Sequence, residues 1–377
     1  MDFFVQATRF GGERMTKTSH KFLMGLSAIL LALAWIPTAG SDEEHGVTLL
    51  NREKCDPGYR LYSSRQTEVA HLIDIDGTEV HQWNYPQGYS WHYAHMLPNG
   101  HLVAIVKDYM ILELDWHGNL VWKFETRAHH DFDRLLNGNT IVVSRRKEKY
   151  EPINPEKELS YDILYEVTPK NKIVWEWKVE EHLDELQKHA ELILPCTMFN
   201  DWPHINTCEI LPHSPTAMKD SRFKKDNLLL CGRHIDTIFI IDRPSDKIVW
   251  AWGPGEILGP HMPTMLPNGN ILLYDNGKNR SRKKRKYTRV LELDPLAKKI
   301  VWEYQSPNNF YSPSRGSNQR LPNGNTLIAE SDSGRLLEVT KSGELVWEFL
   351  NPDKQPLYRT IRYSRELVDG LVNRYEQ

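Results

Sequence analysis

The chain has only four cysteines in 377 residues: Cys55, Cys196, Cys208 and Cys231. Disulfides therefore cannot be what holds it together, and a core of this size needs no staples. Strong charge bias is also missing. Lys and Arg number 47 against 50 Asp and Glu, a formal net charge of −3, which argues against non-specific nucleic-acid binding. Common catalytic signatures are absent: there is no H-E-x-x-H, no C-x-x-C, no P-loop and no G-x-S-x-G elbow.

An apolar run occurs at the N-terminus, from Phe22 to Pro37. At about sixteen residues it suits the core of an export signal and is short for a membrane span. Lys17, His20 and Lys21 precede it, and Thr38-Ala39-Gly40 supplies small residues after it. Residues 1–40 read as a signal peptide or an uncleaved anchor, 41–58 as a short lead-in and 59–377 as the folded domain. The expected location is periplasmic or secreted, with the anchor as the variant reading.

Tryptophan is abundant, with 12 residues, and it is periodic. A unit of Leu-Pro-Asn-Gly-Asn, an apolar strand, a loop, a second strand and a closing Val-Trp strand runs from Leu97 to Phe124. It returns over Leu136–Trp177, Leu211–Trp252, Leu266–Tyr304 and Leu321–Phe349. Asn-Gly between apolar runs is a strong hairpin signal, because both residues tolerate positive φ. Short apolar runs such as Thr326-Leu327-Ile328 suit buried strands, and each Trp offers a large face for packing between units. Four strands per unit, repeated radially, describe a propeller blade.

A sixth unit, Tyr59–Tyr85, has two recognisable strands but no leading hairpin. The strand-like tail Leu357–Tyr363 can supply its missing strand and so remove an exposed edge. The expected fold is all-β: a six-bladed β-propeller closed by a C-terminal strand. A helical patch is expected near Glu180–Leu192. The run Arg280–Lys286 reads as a solvated loop, with a polyanion-binding patch as the sharper alternative.

The innermost strand of a blade begins at one mouth of the channel, so the residues before each turn matter. They include His129-His130-Asp131, Asp201-Trp202-Pro203-His204-Ile205-Asn206 and Gly259-Pro260-His261, with Trp91-His92-Tyr93 and Ser314-Arg315-Gly316 in the flanking units. The returning strands bring Lys107, Arg145, Arg233, Asn276 and Ser331 to the same end. Polar groups at one end of apolar strands suggest a site, and the cations suggest an anionic ligand. If Leu211 pairs with Leu228, then Asn206 faces Arg233, His204 lies on the same face, and Cys208 faces Cys231. A bond between those cysteines and free thiols both remain open. So does the choice between His129 and His130, because adjacent strand residues face opposite ways.

These segments, with Gly232-Arg233-His234, the Leu321–Ile328 strand and Tyr358-Arg359, resemble the bacterial arylsulfotransferase family over roughly Val69–Tyr363. The resemblance implies transfer of a sulfuryl group from a phenolic sulfate ester to another phenol, through a sulfated histidine and without a nucleotide donor or other cofactor. It makes His261 the nucleophile, and His204, Arg233 and His130 the groups that hold sulfate and handle protons. Asn206, Arg145, Lys107, Asn276 and His129 join them as substrate-binding candidates. The implied partners are a small aryl sulfate and a phenol. A neutral imidazole is a competent nucleophile at neutral pH. Two other readings compete: a non-catalytic propeller that captures an anionic or carbohydrate ligand, and a quinoprotein-like dehydrogenase. The second expects a metal and a redox cofactor, for which the sequence shows no signature.

Overall fold

The computed structural model describes residues 45–86, 90–150, 154–189, 201–278, 285–306 and 309–376. The leader, Cys196 and most of the basic run at 280–286 lie outside them.

The Leu-Pro-Asn-Gly turns set the blades. In the turn at residues 97–101, the Gly100 N–H bonds the Leu97 carbonyl at 2.9 Å and Leu97 N–H bonds His101 O at 2.7 Å. The Asn99 side chain accepts the His101 N–H. The same bonding recurs at Leu266, where Gly269 sits at φ 87°. A Cβ there would meet Thr216 Oγ1 at 2.2 Å, so only glycine fits.

Six antiparallel sheets form the ring of a six-bladed propeller. The first blade holds Tyr59–Ser64, Val69–Ile73 and Glu79–Asn84, with Leu357–Tyr363 as its innermost strand. The C-terminal strand thus closes the ring in the blade that carries Trp83. The next four blades begin at Trp91, Phe132, Ile205 and His261, and the sixth at Ser317. Gly46–Leu50, from the expected lead-in, adds a fifth, outer strand to the sixth blade. In the insertion, a 3-10 turn and a helix span Val179–His189. Sequence reading did not anticipate the C-terminal helix Arg365–Tyr375, which is capped by Ser364 and stacks Tyr375 on Trp116.

The periodic tryptophans latch neighbouring blades. Trp83 donates its indole N–H to Asp115 O, Trp122 to Asn171, Trp175 to Asp246, Trp302 to Lys341 O and Trp347 to Ile75 O. Each acceptor lies in the turn before the fourth strand, counted from the channel, of the next blade. Trp250 is the variant, with Lys298 over its ring at 6.0 Å. Around the channel, side chains on one inner strand accept backbone N–H groups from the next. Asp131 and Asp133 take Cys208 and Ile210, Thr207 and Glu209 take Met262 and Met265, and Ser317 and Gln319 take Thr360 and Arg362. Inner strands of neighbouring blades share no sheet, so these side chains satisfy N–H groups that would otherwise be buried unpaired.

The register expected in the fourth blade is wrong by one residue. Leu228 pairs with Ile210, not Leu211, and Cys231 with Thr207, not Cys208. The connection here is no tight Asn-Gly turn. It contains the Ser214-capped helix Pro215–Lys219 and a further turn at Ser221–Phe223, and the hairpin closes with Leu211 N–H on Asn227 O at 2.8 Å. A bulge between Ile205 and Thr207 then leaves Asn206 without a cross-strand partner. Cys55, Cys208 and Cys231 are all free thiols.

Candidate active site

Although the register slips, the bulge and a 3-10 turn over Arg233–Ile235 restore the proximity. Arg233 N–H bonds the His204 carbonyl at 3.0 Å, and His234 N–H bonds the Pro203 carbonyl at 3.0 Å. Arg233 also donates to Pro313 O at 3.4 Å. Its guanidinium is close enough to depress the titration of both His204 and His261. His204, Arg233 and His261 therefore share one electrostatic neighbourhood, by a route the assumed ladder did not contain.

Four residues at the starts of inner strands have left-handed backbones: His130 at φ 62°, His204 at 65°, Met262 at 44° and Arg315 at 59°. For residues other than glycine this conformation is uncommon and strained, and such strain clusters at functional sites. It also settles the paired histidines. His130 turns into the mouth, its ring 4.3 Å from His92 and 4.5 Å from His204. His129 is fully buried behind it, Nδ1 to Nδ1 at 2.7 Å, with Nε2 3.1 Å from Asp162. His234 extends the row, stacking on His204 at 4.4 Å and bonding the Asp201 carbonyl.

The tautomer of His261 follows from its neighbours. Asn276 spends both amide hydrogens on Ser312 O at 2.7 Å and Arg315 O at 2.6 Å. Its Oδ1 must then face His261 Nδ1, at 2.6 Å, and Gly259 O lies 3.2 Å from the same nitrogen. Two acceptors on Nδ1 require the proton there, which leaves a lone pair on Nε2. Burial, then Arg233, pushes the His261 pKa well below the ordinary value, so the ring is neutral. His204 is fixed likewise, with Nδ1 2.6 Å from Asp201 Oδ2. Burial holds His204 neutral despite that carboxylate. Asp201 stays ionised: burial opposes its charge, but His204 and Arg145 outweigh it.

Cations ring the mouth. Arg145 reaches Asp108 at 2.9 Å and Asp201 at 3.4 Å, and Arg315 pairs with Asp332 at 2.7 Å. Lys107 is exposed, its pKa lowered by partial burial and by Arg145 and Arg315 against Asp108. Deeper in, Arg359 bonds Asp131 at 2.9 Å and the Asn206 carbonyl at 2.6 Å, under Tyr358.

The structure therefore groups His261, His204, Arg233 and His130 at one mouth, with Arg145 and Lys107 on its rim. Asn276, Asn206 and His129 are buried supports. Asn206 donates to Pro260 O at 2.8 Å and accepts from Thr207, so its amide anchors the residue before His261 and does not line the opening. Ser331 is bonded to Tyr358 O. Sequence reading assigned no role to His92, His234, Arg315, Asp201 or Tyr358. His92 and Arg315 precede their turns as His130 and His204 do, so the rule reached both segments, but no role was given to either residue. Among the described residues, no group of three His, Cys, Asp or Glu side chains is arranged to hold a metal ion, and no helix is long and apolar enough to cross a membrane.

Comparison with known proteins agrees on the architecture. A protein of unknown function from Bacteroides caccae is similar in structure, with TM-score 0.53, 14% identity, and 82% of this chain and all of that one covered. A streptogramin B lyase is similar with TM-score 0.52 and 11% identity, covering 85% of this chain and 87% of that one. At such identities the likeness speaks for the fold alone. No curated protein matches the sequence. The arylsulfotransferase (ASST) family model matches residues 93–352, a span from the first complete blade to the last that includes His130, Arg145, His204, Arg233 and His261, and the chain belongs to that family.

Proposed function

We propose that the protein transfers a sulfuryl group from an aryl sulfate ester to a phenol, with His261 as the covalent carrier. The observation that carries the reading is the locked tautomer of His261, a neutral buried imidazole with its Nε2 lone pair free to attack. In the first half-reaction Nε2 bonds to sulfur and the sulfur–oxygen ester bond breaks. The electron pair leaves with the phenolate, which takes a proton from solvent. The carrier ring becomes cationic, with its Nδ1–H still on Asn276. In the second half-reaction His204 Nε2 accepts the proton of the incoming phenol, whose oxygen attacks sulfur. The nitrogen–sulfur bond breaks, its electron pair returns to His261, and His204 passes its proton to solvent.

The surroundings support these roles. Asp201 orients His204 and stabilises it when charged. Arg233 offers charge to the sulfuryl oxygens, and Arg145 and Lys107 favour an anionic substrate at the rim. The reading keeps the reaction outside the cytoplasm, on the strength of the basic and then apolar leader. His261→Asn tests the carrier directly. Wild type treated with p-nitrophenyl sulfate should release a burst of p-nitrophenol and gain the mass of one sulfuryl group. The variant should do neither, because an amide nitrogen is not nucleophilic. A variant with full turnover would remove the mechanism.

A further inference from the structure

The far end of the channel, where the inner strands finish at the Leu-Pro-Asn-Gly turns, opens into a cavity of about 750 Å³. None of the mouth histidines lines it. Its walls are largely apolar, with Tyr93, Phe132, Met262 and Met265 among them, and its size is that of a small-molecule site. Three arginines border it, each with its charge paired elsewhere, Arg134 to Glu113, Arg320 to Glu292 and Arg359 to Asp131, while the Nε–H groups of Arg134 and Arg359 meet no acceptor among the described residues.

That leaves Asp133 and Glu209 without a cation among the described residues. Each spends one carboxyl oxygen on a backbone N–H of the next blade, at 2.8 Å. Gln319 makes the equivalent latch to Arg362 N–H at 2.7 Å with a neutral amide, so the latch itself does not need an acid. A third acceptor lines the same cavity. Asn318, 1% exposed, donates to Met262 O at 3.0 Å, while its Oδ1 meets no donor among the described residues. Buried polar atoms normally have partners, so an orphan lining a cavity points to a missing donor.

We propose that this mouth binds a small organic ammonium ion with an apolar body. Its N–H groups serve Asp133, Glu209 and Asn318 Oδ1, and its body lies against Tyr93, Phe132 and the methionines. Burial pushes the Asp133 pKa up to about 7 and that of Glu209 well above the ordinary value. The other ionisable groups facing them do not compensate. Asp131 is matched by Arg359, Arg134 and Arg320 by their own glutamates, and burial keeps His95 and the Cys208 thiol uncharged. A cation would ionise the acids and release protons.

Calorimetry with 2-phenylethylammonium, which has no hydroxyl to sulfate, tests this apart from the transferase reading. Affinity should rise about tenfold from pH 6 to pH 8, with proton release seen as a dependence of the heat on buffer. The uncharged isostere 2-phenylethanol should bind at least tenfold more weakly. Asp133→Asn with Glu209→Gln keeps both latches. It should retain the wild-type circular dichroism while losing tenfold or more in affinity and the pH dependence. His261→Asn should bind the amine as wild type does. Equal binding of the alcohol, undiminished binding by the double variant, or no binding of the amine by wild type would each overturn the proposal.

Discussion

Replacing Asn276 by alanine isolates the one contact that fixes the reacting nitrogen. Asn276 is fully buried and touches His261 through a 2.6 Å bond to Nδ1, while its amide hydrogens satisfy two backbone carbonyls. Removal leaves Nδ1 with Gly259 O alone, at 3.2 Å. During transfer the His261 ring becomes cationic, so the lost bond is charge-assisted and stabilises by roughly 1.5–3 kcal/mol. Set against a tenfold change per ~1.4 kcal/mol, the burst should slow by ~10- to 100-fold. Arg315 O then loses its amide donor while Ser312 O keeps Thr288 Oγ1 at 3.2 Å, which should cost a further ~1–3 kcal/mol of folding stability, less if water enters the space. The assay is stopped-flow release of p-nitrophenol from its sulfate ester, with denaturant unfolding alongside. KM should change little, because Asn276 faces the histidine and not the opening. A folded Asn276→Ala enzyme with the wild-type burst rate would show that the Nδ1 contact does not prepare His261, and the tautomer argument would fail.

The inter-blade latches make a stability prediction. Trp347→Phe should cost about 1–3 kcal/mol beyond the loss of packing, because it leaves Ile75 O without its indole donor. Trp250→Phe, whose indole N–H has no acceptor among the described residues, should lose packing alone. Urea midpoints that fall equally in the two variants would refute the latch. The pH profile should also be informative. Burial holds His204 and His261 below the ordinary histidine pKa, so kcat/KM should stay level as pH falls through 6.5 and decline only below it, as the neutral rings gain protons. Arg233→Ala should move that acid limb upward, since a cation that disfavours the protonated rings is gone. A limb at 6.5 in wild type, unmoved in the variant, would refute the assignment.

The blade count was legible in the sequence because it rests on local chemistry. Asn-Gly turns need positive φ, short apolar runs need burial, and Val-Trp strands close each unit, all within about forty residues of one another. The composite blade was legible too, since one unit lacked a strand and the tail had one to give. The register of the fourth blade was not. There a capped helix replaces the tight turn, and nothing near Leu211 announces that the hairpin closes on Asn227. Nor could the sequence choose between His129 and His130. The left-handed backbone at His130, a tertiary outcome, breaks the alternation on which such a choice depends. Asn206 and Asn276 looked like ligands for substrate because they are polar and near the mouth, yet the fold turns both inward as supports for the His261 segment. The row from His92 through His130 and His204 to His234 joins residues of three blades. Spacing along a chain encodes what neighbours in sequence can do, whereas these contacts exist only once the ring is closed.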